Sequence, residues 1–274
     1  MHSFRFMPDT DSYIISGNIK LHYQKVGEGT KSMLVFHGFG MELYSIADFK
    51  ICFPEHTLYF FDLFFHGKSQ WPNSKHALTV EKWNTLIGLF LQKENIDRFE
   101  MVGFSIGAKS LLAVLYKFAP KVDAIILIAP DGIVRKFWYN LATGTKLGQL
   151  LFRRLMENPV FIMKCLNWIK GSKLLPNKLI VFVRSQLTVQ ANRVKVYHTW
   201  MVYRKLRLSE KKIANLINDH TITTTIVAGN QDSLFPPNSF KKIVRLIPDS
   251  KLLVLEAEHR YIVDKSLKFL IRNR

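Results

Sequence analysis

The stretch FEMVGFSIGAKSLLAVLYKF, Phe99 to Phe118, changes its period in the middle. Phe99, Met101 and Val102 make a short apolar run of strand type, whereas apolar residues recur at helical spacing from Ile106 to Phe118. Ser105 falls at the junction, with Gly103 and Gly107 two residues to either side. A strand that turns this sharply into a helix strains the backbone at the turn. It also brings the two elements into contact, leaving no room for side chains at the flanking positions. The serine hydroxyl would then stand at a helix N-terminus, where free N–H groups can meet a developing negative charge. The plainer alternative is a serine that merely caps the helix.

Outward from this junction the chain alternates strands and helices. Tyr13–Ile15 and Ile19–Val26 read as a hairpin about Ser16-Gly17-Asn18, placed at a sheet edge. Met33–His37, Thr57–Phe61, Val122–Ala129, Thr223–Gly229 and Lys251–Leu255 are further strands; the run VDAIILIA is continuous enough for a strand buried on both faces. A short helical pattern covers Tyr44–Lys50. Helices are predicted over Thr79–Glu94, with Thr79 as cap, over Pro237–Ile247, and from about Tyr261 to the end.

The G-x-S-x-G junction, the loop His37-Gly38-Phe39-Gly40, the segment Asp62-Leu63-Phe64-Phe65-His66-Gly67-Lys68-Ser69 and the turn from Gly229 through Asp232 to Pro236 together resemble the α/β-hydrolase family. Phe64 and Phe65 replace its usual proline and glycine. The resemblance implies a mostly parallel eight-stranded sheet with helices on both faces and a helical cap after the sixth strand. It places the core at residues 1–131 and 216–274 and the cap at 132–215. It further implies that Gly103 and Gly107 shape the nucleophile elbow, and that the N–H groups of Phe39 and Ile106 form the oxyanion hole. Asp62 and His66 support the sheet in most members.

A serine hydroxyl needs a base within hydrogen-bond reach and a third group to orient that base. Ser105, Asp232 and His259 follow the family's order of nucleophile, acid and histidine, each after an expected strand. Asp131, after the sixth strand, is the rival acid, and the plainer alternative for Asp232 is that it only closes its turn. Glu258 stands where most members carry glycine. His22, His56, His76, His198 and His220 show no partner pattern. The resemblance implies a serine hydrolase of carboxylesterase, thioesterase or lipase type acting on a small-molecule ester or thioester. Carbon–carbon bond hydrolases and cofactor-free haloperoxidases use the same three residues, and some relatives are non-catalytic binding proteins.

Composition limits the partners. Cys52 and Cys165 have neither disulfide-framework nor metal spacing, and no nucleotide or metal motif occurs, so neither a metal nor another cofactor is expected. MHSFRFMPDTDSY lacks a signal-type apolar run, and the default setting is cytoplasmic. The net charge of +18 is concentrated: residues 132–215 hold 17 Lys and Arg against Glu157 and Glu210, a balance of +15, leaving +3 for the rest. Such a field attracts an anionic carrier (acyl carrier protein or coenzyme A) or an anionic membrane surface. Nucleic acid is not expected, since no recognition motif accompanies the charge. The aromatic residues Phe137, Trp138, Tyr139, Phe152, Trp168, Trp200 and Tyr203 either form a membrane-contacting face or pack the cap, whose charges would then only be solvated.

Overall fold

A computed structural model describes residues 10–41, 49–72, 76–134, 137–158, 160–161, 163–164 and 187–272. Eight strands form one sheet: β1 (Thr10–Ser16), β2 (Ile19–Val26), β3 (Lys31–Phe36), β4 (His56–Phe61), β5 (Phe99–Phe104), β6 (Val122–Ile128), β7 (Thr223–Gly229) and β8 (Lys251–Leu255). Their order is β1-β2-β4-β3-β5-β6-β7-β8. The first two pairings are antiparallel, which puts the hairpin at the edge; every pairing from β3 onward is parallel.

Alternation along the inner strands feeds two cores. Met33 and Val35 of β3 lie with Phe60, Val102, Phe49, Ile262 and Leu267 in one buried cluster. That cluster takes in the short helix α1 (Phe49–Cys52), whose predecessor residues 42–48 lie outside the described residues. Phe36 turns to the opposite face, stacking on Phe61 at 5.2 Å and approaching Trp83 at 5.9 Å. Trp83 belongs to α2 (Val80–Lys93), which Thr79 caps by accepting the Lys82 N–H. From α2, Trp83 Nε1 donates to the Ser110 carbonyl and Asn84 Nδ2 to that of Ala113, tying α2 to α3 (Ile106–Phe118). The buried N–H donors of the indole and the amide are thereby satisfied inside an apolar layer.

The edge hairpin is held by a buried polar cluster. Asp62 Oδ2 accepts from His22 Nδ1 and from the Lys68 N–H, both at 2.7 Å. The second ring nitrogen of His22 lies 3.2 Å from Asp11. Asp62 is thus a structural residue, joining β2 to the loop after β4. Among the other histidines, His22 does have partners, supplied by segments that only the sheet order brings together.

Between β6 and β7 lies the helical insertion, with α4 (Phe137–Gly144), α5 (Lys146–Glu157) and α6 (Gln190–Tyr203). The chain divides into two compact units, residues 1–72, 79–134 and 206–274, and residues 73–78 and 135–205. Helix α7 (Glu210–Asp219), partly inside the 132–215 boundary drawn from sequence, groups with the first unit, because its buried Ile213, Ala214 and Ile217 pack towards α3. The expected helix after Pro236 starts as a 3-10 turn, Pro237–Phe240, and continues as α8 (Lys241–Leu246); α9 (Ile262–Arg272) closes the described chain.

Within the second unit the aromatic residues pack together. Phe152 is buried and stacks on Trp200 at 5.2 Å, with Tyr197 at 5.5 Å. Tyr139 meets Trp200 edge-on and donates its hydroxyl to the Trp200 carbonyl at 3.2 Å, and Tyr203 is fully buried. Of the expected aromatic face, Phe152 and Tyr203 are buried and Tyr139 and Trp200 are half-buried against each other; the side chains of Phe137, Trp138 and Trp168 lie outside the described residues. Among the described residues no helix is long and apolar enough to cross a membrane.

Candidate active site

The carboxyl ends of the parallel strands carry the candidate residues, where open α/β sheets bind ligands. Ser105 follows β5 with φ 51° and ψ −118°, a left-handed conformation that costs a non-glycine residue on the order of 1–3 kcal/mol. Its side chain makes no capping bond to α3, so the helix-cap alternative does not describe it. The strained residue is fixed by its backbone: its N–H donates to the Ile128 carbonyl, and its own carbonyl accepts from Ala108 and Asp131, all at 3.0 Å.

Both flanking glycines are required by space. A β-carbon on Gly107 would stand 2.1 Å from the Phe36 carbonyl oxygen, and one on Gly103 would stand 2.6 Å from the Ala108 α-carbon. Strand β3, the elbow and the first turn of α3 therefore touch backbone to backbone. Ile106 begins α3, so its N–H has no carbonyl one turn earlier to receive it.

Asp232 and His259 come together although they lie on different turns. His259 Nδ1 is 2.7 Å from Asp232 Oδ2, while Oδ1 of the same carboxylate accepts the N–H groups of Leu234 at 2.8 Å and Phe235 at 2.9 Å. One oxygen closes the turn and the other faces the imidazole, so the same carboxylate serves the turn and the histidine. Burial pushes this carboxyl up; the bonds from His259 and from the two N–H groups outweigh it and hold the group below the ordinary carboxylate value. The acid turn is stitched to the histidine loop by Asn230 N–H to Leu255 and Gln231 N–H to Ala257. Asp131 is used differently: its Oδ1 accepts the Gly132 N–H at 2.7 Å. Glu258 Oε2 lies 3.6 Å from Arg260 Nε.

Two phenylalanines that the motifs did not single out contact the imidazole. Phe104, immediately before Ser105, has its ring 5.2 Å from that of His259, and Phe235, from the acid turn, stands at 5.6 Å. Gly38 makes room for the first, since a β-carbon there would meet the Phe104 ring at 2.4 Å. Adjacency to Ser105 was the one sequence signal for Phe104; Phe235 had none.

The loop carrying Phe39 is pinned by two histidines. Nε2 of His37 accepts the Leu63 N–H at 3.0 Å, and Nε2 of His66 accepts the Gly40 N–H at 3.1 Å. Each therefore carries its proton on Nδ1, which faces the carbonyl of Gly38 in one case and of Phe64 in the other. The Phe39 ring meets the His66 ring edge-on at 5.2 Å.

A strained serine at a strand-to-helix elbow and a carboxylate-oriented histidine on the same sheet edge form a triad-like arrangement that supports serine-hydrolase catalysis. Residues 31–265 match the alpha/beta hydrolase fold family, and the chain belongs to that family. A 124-residue stretch is 27% identical to 2-hydroxy-6-oxo-2,4-heptadienoate hydrolase of Pseudomonas putida and spans 44% of each chain, so the chain aligns with less than half the length of that relative. A thermophilic esterase from Thermogutta terrifontis superposes with a TM-score of 0.66 at 19% identity over 97% of each chain. A bromoperoxidase from Bacillus anthracis does so at 0.64 and 15%, over 97% of this chain and all of that one. At such identities the structural likenesses establish the fold alone.

Proposed function

We propose that the protein is a serine hydrolase that cleaves carboxylic esters or thioesters through an acyl-enzyme. The contact of His259 Nδ1 with Asp232 at 2.7 Å carries this reading, because it leaves Nε2 of the neutral ring with its lone pair free to act as a base. Ser105 is the nucleophile: its Oγ attacks the substrate carbonyl as its proton passes to His259 Nε2. Asp232 holds the ring in its tautomer and balances the imidazolium. The N–H groups of Phe39 and Ile106 receive the oxyanion. Collapse of the tetrahedral species expels the alcohol or thiol, which takes the proton from Nε2, and a water activated by the same nitrogen releases the acid and restores Ser105.

The +15 balance of residues 132–215 favours a substrate presented by an anionic carrier, acyl carrier protein or coenzyme A, or at an anionic surface. The test is hydrolysis of p-nitrophenyl esters of increasing chain length and of acyl-coenzyme A thioesters by the parent protein and by Ser105→Ala. Loss of roughly 10⁴-fold or more in turnover is expected for the variant. Activity within tenfold of the parent would remove Ser105 from the nucleophile's role.

A second reading, hydrolysis of a carbon–carbon bond by the same residues, is supported by the 124-residue likeness to a hydrolase named for 2-hydroxy-6-oxo-2,4-heptadienoate, a name that contains no ester. Turnover of that compound well above turnover of any ester would favour it.

A further inference from the structure

Helix α5 displays apolar side chains where a solvated helix displays charge. Leu147, Leu150 and Leu151 are 67%, 46% and 49% exposed. Their spacing of three and four residues puts them on one side of the helix. The opposite side is occupied: Phe152 stacks on Trp200, Gln149 Nε2 donates to the Thr143 carbonyl at 2.8 Å, and the Met156 carbonyl accepts from Arg193. Leu141 of α4 is 48% exposed, and a β-carbon on Gly148 would meet its carbonyl at 2.0 Å, so α4 and α5 approach closely there. Eight of the exposed large apolar side chains among the described residues belong to this unit.

Positive charge accompanies the leucines. Arg154 continues their row one turn on from Leu150, and Lys146 and Arg153 lie beside it; all three are exposed. Arg153 is partly neutralised by Glu157 at 2.8 Å. Glu157 is the one acid of residues 73–78 and 135–205, set against 15 Lys and Arg. An apolar stripe edged by cations is the pattern of a helix lying in a lipid interface.

We infer that α5 is an interfacial helix, through which this unit rests on an anionic lipid surface with Leu147, Leu150 and Leu151 among the acyl chains and Lys146, Arg153 and Arg154 at the headgroups. Charge complementarity selects this occupant. A second copy of the chain would bring an equally positive unit against the first. Protein-binding hot spots are built from aromatic anchors and under-use leucine, and the exposed face of α5 carries leucines and no aromatic ring. A bilayer asks only for apolar area with cations beside it. The cations Arg204, Lys205 and Arg207 just after α6 are less suited, because Arg204 is half-buried and its guanidinium is bonded to the Met201 carbonyl.

The test reads binding without turnover, so it succeeds or fails independently of the catalytic proposal. The full chain is floated with vesicles of phosphatidylcholine alone and of phosphatidylcholine with an equal part of phosphatidylglycerol, in 0.1 M and 1 M salt. Screening lengths fall from ~10 Å to ~3 Å between these conditions. Binding to the anionic vesicles at 0.1 M, at least tenfold weaker on the neutral ones and weakened by salt, is expected. The combined variant Leu147→Ser, Leu150→Ser, Leu151→Ser, with parental circular dichroism and melting temperature, should lose tenfold or more. Ile15→Ser, at an exposed apolar residue of the sheet, should lose nothing, and Lys146→Glu with Arg154→Glu keeps the leucines and should also bind less. Absence of anionic-vesicle binding, or binding unaffected by the leucine variant, would overturn the inference. So would self-association or capture of acyl carrier protein that depends on those leucines while vesicle binding does not.

Discussion

Gly40 donates its N–H to Nε2 of His66 across 3.1 Å, which anchors the far end of the loop that presents Phe39. His37 anchors the near end through Leu63. On the proposed mechanism, His66 is a positioning residue for the oxyanion donor at Phe39. Losing such a donor outright costs about 10²–10³ in turnover, and loosening it should cost less. His66→Ala is expected to lower kcat about tenfold with KM changed less than twofold. His66→Gln, whose amide oxygen can accept the same N–H, should recover part of the loss. A fall confined to stability, or one shared equally by KM, would reduce His66 to a packing residue.

Gly107→Ala should be among the most damaging single changes, because its β-carbon would lie 2.1 Å from a backbone oxygen of the central strand β3. Relief requires moving strand or helix, at about 3 kcal/mol or more. Gly17→Ala is the comparison: its φ is +59° but nothing lies within 4 Å, so only conformational strain of about 1 kcal/mol is expected. Denaturant midpoints of the two variants measure the difference.

Asp232→Asn and Asp131→Asn separate the two acids. Only the first removes a carboxylate oxygen from His259, so it should reduce turnover by about 10⁴, as loss of the orienting acid does elsewhere. Asp131→Asn keeps an oxygen for the Gly132 N–H and should stay within severalfold of the parent. Steady-state rates on one ester decide it, and a larger loss in Asp131→Asn would reverse the assignment.

Acid stability should carry the signature of Asp11. Hydrogen bonds from Lys68 and then Gln24, with His22, hold its carboxyl down from 3.8 to about 2. A depressed carboxylate stabilises the fold fully above its unfolded value and gives that contribution up as pH falls through the folded one. The relevant window therefore runs from about pH 4 to about pH 2. Asp11→Asn should be less stable than the parent at pH 7 and lose less between pH 4 and 2, read from urea midpoints. Identical losses in that window would mean that the cluster contributes nothing to acid stability.

Much of this architecture is legible in the sequence, because its signals are local. The apolar run at Val122–Ile128, the Thr79 cap and the glycines around Ser105 each depend on neighbours within a turn or two. The triad candidates were legible for the same reason, each following its own strand. What stayed hidden is what chain topology alone creates. The carboxylates of His22 come from Asp11 and from Asp62, 40 residues on, and meet it because β2 lies between β1 and β4. Phe104 and Phe235 look like ordinary core residues until the sheet edge brings His259 into ring contact with both. A helix such as α5, with leucines on one side and Phe152 on the other, does not announce which side turns inward, so the aromatic residues were as plausible a displayed face as the leucines.

On the proposed mechanism Ser105 is an activated nucleophile. A fluorophosphonate probe reacts with a serine whose proton is being withdrawn, and intact-mass and peptide analysis locates the adduct. The expected result is one adduct per chain, on Ser105, absent in Ser105→Ala and strongly slowed in His259→Ala. A folded parent protein that remains unlabelled, or labels on another residue at the same rate with His259 removed, would contradict it and leave a binding protein on a hydrolase fold.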